Sequence, residues 1–320
     1  MDGRPLVILT GPTAVGKTAL SIALAKRLSG EIISADSMQV YRGMDIGSAK
    51  ITKVEMDGVP HHLIDILPPQ ERFDVYRFRQ LAKEAVSGIY GRGHLPVVVG
   101  GTGFYIQALL YDIDFTEEDS DPAYRKELET LAQTDGKALY RKLLAVDPQA
   151  AEDIHPHNHK RLIRALEYFH LTGERISGHN RRMRRKQSPY RFCYFVLTDE
   201  RGRIYEAIEK RVDQMLQAGL VEEVEALRAQ GVTRETTAMQ GLGYKEIYDY
   251  LDGQYPLEEA VRLIKRDTRH FAKRQLTWFR REREVIWVDK GAFDYDEERI
   301  LSFLQEKTAE RTGRTDRPEE

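Results

Sequence analysis

The stretch Gly11-Pro12-Thr13-Ala14-Val15-Gly16-Lys17-Thr18 decides how the rest of the chain is interpreted. It follows the apolar run 6–10 and precedes a helical pattern with leucines at 20, 24 and 28 on one face. A strand, the spacing G-x-x-x-x-G-K-[ST] and a helix, in that order, indicate a P-loop. In such a loop, backbone N–H groups and the helix N-terminus bind phosphate. We therefore predict that residues 11–18 bind a phosphate-bearing ligand, with Lys17 on the phosphate and the Thr18 hydroxyl on Mg²⁺.

The composition describes a globular chain with no marked charge. The 320 residues are 41% hydrophobic and 31% charged, and the net charge is −2. Any affinity for nucleic acid must therefore come from an uneven distribution of charge. The single cysteine, Cys193, excludes an intrachain disulfide and a multi-cysteine zinc site, so we expect no zinc. Because no apolar run approaches the ~20 residues that span a bilayer and no signal-peptide pattern is present, we expect a cytoplasmic protein without membrane contact.

Short apolar runs alternate with helical patterns over the first hundred residues. Runs 30–36, 62–66 and 95–99 resemble buried strands, and residues 73–90 have helical spacing. Such alternation is typical of a parallel sheet with helices on both faces. The predicted fold class is α/β: a P-loop NTPase-like parallel sheet flanked by helices, with an all-helical insertion domain.

The pattern changes near residue 112. Charged helical segments continue to residue 189 without a strand pattern, and apolar runs return at 190–197 and 285–288. We therefore predict a catalytic core of residues 1–111 and 190–307, interrupted by a helical insertion at 112–189. The polar residues 308–320 predict a disordered tail.

Two polar side chains follow strands of the predicted sheet. Asp36 ends the run 30–36, and Thr102 stands in Gly100-Gly101-Thr102-Gly103 after the run 95–99. In parallel sheets the ligand crevice lies beyond the carboxyl ends of the strands. The run 95–99 is followed by glycine, whereas the corresponding strand of a Walker-type ATPase ends in a magnesium-binding acid. Asp36 is then a metal ligand, a proton acceptor or a helix cap, and the glycine cluster is a turn or part of the site.

Arginine and lysine are concentrated in particular segments. Residues 160–191 hold ten Lys or Arg and two acids, and one helical face there carries Lys160, Arg161 and Arg164. This excess predicts a surface for a polyanion. A second basic segment, 262–283, interleaves aromatic residues that fit a core. Arg211 flanks the apolar stripe of a helix over 203–216, where an arginine either reaches solvent or meets an anion.

Taken together, six ordered segments resemble the tRNA dimethylallyltransferases, and bacterial members most of all. The resemblance spans nearly the whole chain except the tail, and the ordered combination is far more specific than any single motif. The segments are residues 11–18, 36–47, 100–105, 155–167, 241–245 and 273–280.

The resemblance implies an activity and a role for each matching residue. The activity is transfer of a dimethylallyl group from dimethylallyl diphosphate to N6 of adenosine 37, beside the anticodon of tRNA, by a monomeric enzyme. Lys17, Thr18 and Arg211 would hold the diphosphate with Mg²⁺, Asp36 would be the general base, and Thr102 would act beside it. The tRNA contacts implied are Asp36, Ser37, Met38, Gln39, Thr102, Arg125, Lys160, Arg161, Leu162, Ile163 and Arg164.

Three other functions fit parts of the pattern. A P-loop small-molecule kinase would bind ATP in the same loop but would not need a basic insertion. An adenylate isopentenyltransferase would share the loop and the chemistry with a free nucleotide as acceptor. A non-catalytic nucleotide-binding or RNA-binding protein would leave Asp36 without a chemical task.

Overall fold

A single parallel sheet organises the chain in a computed structural model that describes residues 3–113 and 121–313. Within these residues six strands pair in the order β3-β2-β4-β1-β5-β6, and every pairing is parallel. The α/β prediction is confirmed. The strands are β1 (Arg4–Thr10), β2 (Gly30–Ser34), β3 (His61–His62), β4 (Leu95–Gly100), β5 (Tyr190–Thr198) and β6 (Val285–Asp289).

Helices fill most of the remaining described chain. They are α1 (Lys17–Arg27), α2 (Val75–Gly91), α3 (Gly103–Leu110), α4 (Pro122–Thr134), α5 (Gly136–Val146), α6 (Pro148–Asp153), α7 (His159–Thr172), α8 (Ile176–Arg185), α9 (Arg201–Gln217), α10 (Leu220–Ala229), α11 (Tyr244–Leu251), α12 (Leu257–Phe279) and α13 (Glu297–Thr312). None of the helices in this part of the chain is long and apolar enough to cross a membrane.

The P-loop follows a central strand of the sheet. Strand β1 pairs with β4 on one side and β5 on the other, so that Val7 lies opposite both Val97 and Cys193. All three side chains are fully buried. Because a parallel strand packs helices on both faces, continuous apolar runs such as residues 6–9 suit this position. The carboxyl ends of β1, β2 and β4 therefore meet at one edge of the sheet.

Residue contacts divide the chain into two compact units. The first comprises residues 1–112 and 189–320 and contains all six strands; the second comprises residues 113–188. The described part of the second unit is helical, from α4 to α8, and has its own hydrophobic core. Its fully buried leucines are Leu128, Leu139, Leu143, Leu162 and Leu166.

Two local predictions need correction. The strand predicted over 62–66 is limited to His61–His62, because Leu63 and Asp65 adopt positive φ angles of 64° and 55° that end an extended chain. The tail predicted to be disordered from residue 308 begins as part of α13, which ends at Thr312. Thr308 and Thr312 are both buried, and their hydroxyls bond to backbone carbonyls one turn earlier. Residues 314–320 lie outside the described residues.

Candidate active site

A cavity opens at the carboxyl ends of β1, β2 and β4, where the sequence places its candidate residues. Its wall combines the P-loop, the segment after β2, the glycines after β4 and side chains from α9 and α12. The polar and charged side chains include Lys17, Thr18, Ser34, Asp36, Gln39, Ser48, His61, Arg211 and Gln275, and the apolar ones include Ile32, Ile51, Ile64, Val99 and Phe271.

The P-loop leaves the first turn of α1 available to an anion. Gly16 caps this helix with a left-handed backbone, φ 94°, and no side chain accepts a hydrogen bond from the first turn. A residue with a Cβ would be strained in this conformation. Because the first N–H groups of a helix have no partner within it, they form an anion site at the helix N-terminus. The geometry is that of a phosphate-binding loop.

Lys17 bends back over the loop instead of pairing with an acid. Its Nζ donates to the carbonyl oxygens of Gly11, at 3.0 Å, and Pro12, at 2.8 Å. Burial and the nearby Arg211 together lower the pKa of this ammonium group to about 7, although Asp36 opposes the shift. A lysine in this state gains charge when an anion binds beside it.

Arg211 faces the same cavity without a bonded partner. No other residue in the described ranges forms a hydrogen bond or ion pair with it, and burial lowers the pKa of its guanidinium group. Of the two alternatives left open by the sequence, solvent or an anion, this position favours the anion. Since both side chains share one wall, Lys17 and Arg211 together create a strong demand for negative charge.

Asp36 has one oxygen in a turn and another that is uncommitted. Its Oδ1 accepts hydrogen bonds from the backbone N–H groups of Met38, at 2.8 Å, and Gln39, at 3.3 Å. Its Oδ2 bonds to no other residue in the described parts of the chain. The side chain therefore acts as a cap and also presents an oxygen to the cavity. Backbone donors fix the direction of the carboxylate, as a proton acceptor requires.

Thr102 lies beside the same strand end. Its backbone N–H donates to the carbonyl oxygen of Ala35 at 3.2 Å, one residue before Asp36. Although Thr102 occupies the N-cap of α3, its hydroxyl does not cap the helix. The cavity wall itself contains Gly100 and Gly101 rather than Thr102. The structure thus brings Thr102 to the edge of the site.

Glu223, which sequence reasoning missed, braces the segment 45–48 beside the cavity together with Tyr244. The Glu223 carboxylate accepts from the backbone N–H groups of residues 45, 46 and 47 at 2.7–3.1 Å. The Tyr244 hydroxyl donates to Glu223 at 2.6 Å and accepts from the N–H of Ser48 at 3.1 Å. This arrangement fixes Ser48, whose carbonyl accepts from the Gln39 amide at 3.4 Å. The segment 241–245 therefore supports the cavity from behind.

Gln275, within the segment 273–280, is a further residue to which sequence reasoning assigned no role. Its side chain is only 6% exposed and lies on the buried face of α12 with Ala272 and Phe279. The signal available in the sequence was a single amide on an otherwise apolar helical stripe. A buried amide must have hydrogen-bond partners, so such a position indicates a structural connection.

In the helical unit, α7 separates a basic face from an apolar one. Lys160, Arg161 and Arg164 are exposed, as predicted for a polyanion surface. Leu162 and Ile163, in contrast, are buried in the core of this unit, so their side chains do not lie on the basic face. Arg125 on α4 is half exposed and pairs with Glu129 at 3.0 Å and Glu167 at 3.1 Å.

Comparison with known proteins identifies the family. A family model described as IPP transferase matches residues 39–282, and one described as isopentenyl transferase matches residues 5–66. The chain belongs to the IPP transferase family. The family predicted from the motifs is thereby confirmed.

Relatives match nearly the full length of this family member. The tRNA dimethylallyltransferase of Lachnoclostridium phytofermentans is 63% identical over 294 residues, which is 92% of this chain and 94% of the relative. The solved structure of the full-length tRNA isopentenylpyrophosphate transferase of Bacillus halodurans has 48% identity and a TM-score of 0.73, covering 97% of this chain and 98% of that one. A eukaryotic dimethylallyltransferase acting on tRNA has 28% identity and a TM-score of 0.83, covering 99% and 81%.

The oxygen atoms of the site suit magnesium bound through a substrate. Among residues 3–113 and 121–313, no three His, Cys, Asp or Glu side chains are grouped so that they could hold a metal ion. The exposed Thr18 hydroxyl and the Asp36 carboxylate are hard oxygen donors on the cavity wall. Mg²⁺ commonly takes one or two protein oxygens and completes its shell with phosphates and water. These residues fit that mode of binding.

Proposed function

We propose that this family member transfers the dimethylallyl group of dimethylallyl diphosphate to N6 of adenosine 37 in tRNA, beside the anticodon, and releases diphosphate. The observation that supports this proposal is that one cavity has a positively charged wall and an apolar wall. Within the residues that the structure describes, Lys17 and Arg211 form no ion pair beside the P-loop, and an apolar wall contains Ile32, Ile51 and Ile64. A diphosphate joined to a short branched hydrocarbon matches both walls.

The proposed reaction is a displacement at carbon. The lone pair of N6 attacks C1 of the dimethylallyl group, the C1–O bond breaks, and its electrons leave with the diphosphate. Asp36 takes the N6 proton, which is a contribution of typically 10²–10⁴-fold. Lys17 and Arg211 stabilise the charge that collects on the leaving group.

Magnesium would be held by the Thr18 hydroxyl, with Asp36 within reach of the same cavity. When bound, it would supply further positive charge to the diphosphate. Proton acceptance and stabilisation of the leaving group are performed by side chains of this chain. Because all of them belong to one chain, a monomer suffices.

The RNA would be held by basic surfaces, of which each of the two units has one. The first is the α7 face with Lys160, Arg161 and Arg164. The second comprises Lys273 and Arg274 on α12 and Arg281 just after its end; all three are exposed and form no ion pair within the described residues. With a net charge of only −2, these are local concentrations of positive charge that suit phosphates. The target adenine would be turned out of its loop to reach the cavity.

One assay separates this proposal from its alternatives. The purified protein is incubated with labelled dimethylallyl diphosphate, Mg²⁺, and either unmodified tRNA, AMP or ATP, with a tRNA carrying guanosine at position 37 as the matched control. We expect label on the adenosine-37 tRNA alone. Label on AMP and not on tRNA would establish the adenylate isopentenyltransferase. Phosphoryl transfer from ATP without prenylation would establish a kinase.

A further inference from the structure

Gln275 connects two loops whose relative position matters for the proposed reaction. Its Oε1 accepts a hydrogen bond from the backbone N–H of Thr13, in the P-loop, at 2.9 Å. Its Nε2 donates to the carbonyl oxygen of Gly101, in the loop after β4, at 3.0 Å. These partners are 262 and 174 residues away in sequence. A single side chain from α12 therefore connects three distant segments.

The chemistry of the two partners requires an amide. Thr13 offers a donor and Gly101 an acceptor, and glutamine presents the complementary acceptor and donor on one planar group. A glutamate would accept from Thr13 but would place its second oxygen against the Gly101 carbonyl. Hydrocarbon side chains would leave both partly buried backbone groups without this partner, at a cost of at most about 1–3 kcal/mol each.

The close fit also explains the glycine at position 101. A Cβ built on Gly101 would lie 2.1 Å from the Gln275 Nε2 and 3.4 Å from its Cδ. The next nearest atom, the carbonyl oxygen of Gly11, would be 3.8 Å away. Gln275 is thus the principal obstacle to a side chain at this position.

The bonds continue from Gly101 toward the proposed base. Thr102 donates its N–H to the carbonyl oxygen of Ala35 at 3.2 Å, and Ala35 precedes Asp36. In the other direction, Thr13 belongs to the loop that bears Lys17. The Gln275 amide therefore stands between the leaving-group end of the cavity and the proton-accepting end.

We propose that Gln275 is a positioning residue that sets the spacing between the diphosphate site and the Asp36–Thr102 edge. This inference rests on the proposed function. Displacement needs the amine, the carbon and the leaving oxygen in line, and a misplacement of about 1 Å costs roughly 100-fold in rate. Gln275 accelerates transfer through the two loops, because both ends of its amide are engaged by their backbone groups.

The test measures the single-turnover rate of transfer in the full-length protein with labelled dimethylallyl diphosphate, Mg²⁺ and tRNA. Q275M keeps the length of the side chain and removes both hydrogen bonds. We expect its rate to fall about 100-fold, with dissociation constants for tRNA and donor within threefold of wild type. Q80M is the matched control, because Gln80 is an exposed glutamine on α2 whose one hydrogen bond among the described residues is to the Tyr76 hydroxyl, at 3.0 Å; its rate should be unchanged.

A second variant keeps the inference testable if Q275M is poorly folded. G101A leaves the glutamine in place but pushes its amide away, so its rate should fall in the same way. In Q275A the added methyl meets no obstacle, so G101A should cause almost no further loss in that background. Folding is followed by circular dichroism and thermal melting.

The outcomes distinguish the inference from the proposed function. A wild-type protein that prenylates no tRNA overturns the proposed function. A wild-type protein that does so, with Q275M or G101A within threefold of its rate, overturns the positioning role. Losses from G101A and Q275A that simply add would overturn it as well, because the glycine would then act independently of Gln275.

Discussion

Binding of the prenyl donor should weaken steeply as the pH rises above 7. Burial and Arg211 lower the pKa of Lys17 to about 7, from an ordinary value of 10.5. A diphosphate bound beside the ammonium group favours its charged form and raises the pKa again. Above pH 7, most Lys17 side chains in the free protein are neutral. The protein must therefore take up a proton at Lys17 in order to bind the prenyl donor.

The size of the effect follows from the protonated fraction. With a pKa of about 7, Lys17 is half protonated at pH 7 and about one hundredth protonated at pH 9. The dissociation constant should therefore rise about 50-fold between these values, or about 2 kcal/mol. Phosphate groups complete their ionisation near pH 6, so the charge of the donor is nearly constant over this range.

Titration calorimetry with dimethylallyl diphosphate and no tRNA measures the effect directly. Pairs of buffers with different ionisation heats report the proton uptake at each pH. K17R is the control with a flat profile, because a guanidinium group remains charged throughout. R211Q removes a neighbouring positive charge, so the steep region should move to higher pH. A wild-type dissociation constant that changes less than threefold from pH 7 to 9, without proton uptake, would refute the reasoning.

Three further predictions concern other parts of the chain. D36N keeps an oxygen for the turn but loses the base, so the single-turnover rate should fall 10²–10⁴-fold while tRNA binding persists; an unchanged rate would exclude Asp36 as the base. Neutralising Lys160, Arg161 and Arg164 to glutamine should weaken tRNA binding and lower the slope of log Kd against log salt by about two, as filter binding measures, and an unaltered slope would place the RNA elsewhere. Glu31 is 1% exposed, and hydrogen bonds from Arg92, His62 and His94 lower its pKa to about 2, so its stabilisation is present above pH 5 and is lost toward pH 2. Urea unfolding should show E31Q to be less stable than wild type by about 2 kcal/mol at pH 7, with a difference that shrinks below pH 4; a difference independent of pH would contradict the assignment.

The strands were predictable because burial in a parallel sheet requires continuous apolar runs. Residues 6–10, 95–99 and 190–197 are such runs, and each lies within the strand that the structure contains. The run 62–66 misled because its composition suits a strand but its backbone turns at Leu63 and Asp65. Backbone reversal at a leucine has no compositional signature, since leucine rarely adopts positive φ.

The parts of the candidate site that lie within one segment were predictable from the sequence. The parts that depend on contacts between distant segments were not. The P-loop and Asp36 are local features, and sequence reasoning found both. Whether Arg211 reached solvent or an anion depended on the cavity around it, and the sequence left both alternatives open. Gln275 and Glu223 act on backbone groups from distant segments. The backbone groups that they bond carry no sequence pattern, so only the folded chain reveals which segments these side chains connect.

The position of β1 has a consequence for synthesis on the ribosome. This strand pairs with β4 on one side and with β5 on the other. Strand β5 is synthesised only after the entire helical unit. Until residue 198 emerges, the nascent chain exposes an apolar strand edge, which is a template for mispairing. The intervening unit has its own leucine core and can fold during this interval. The order of translation thus makes β5 the strand that closes the sheet beside the P-loop.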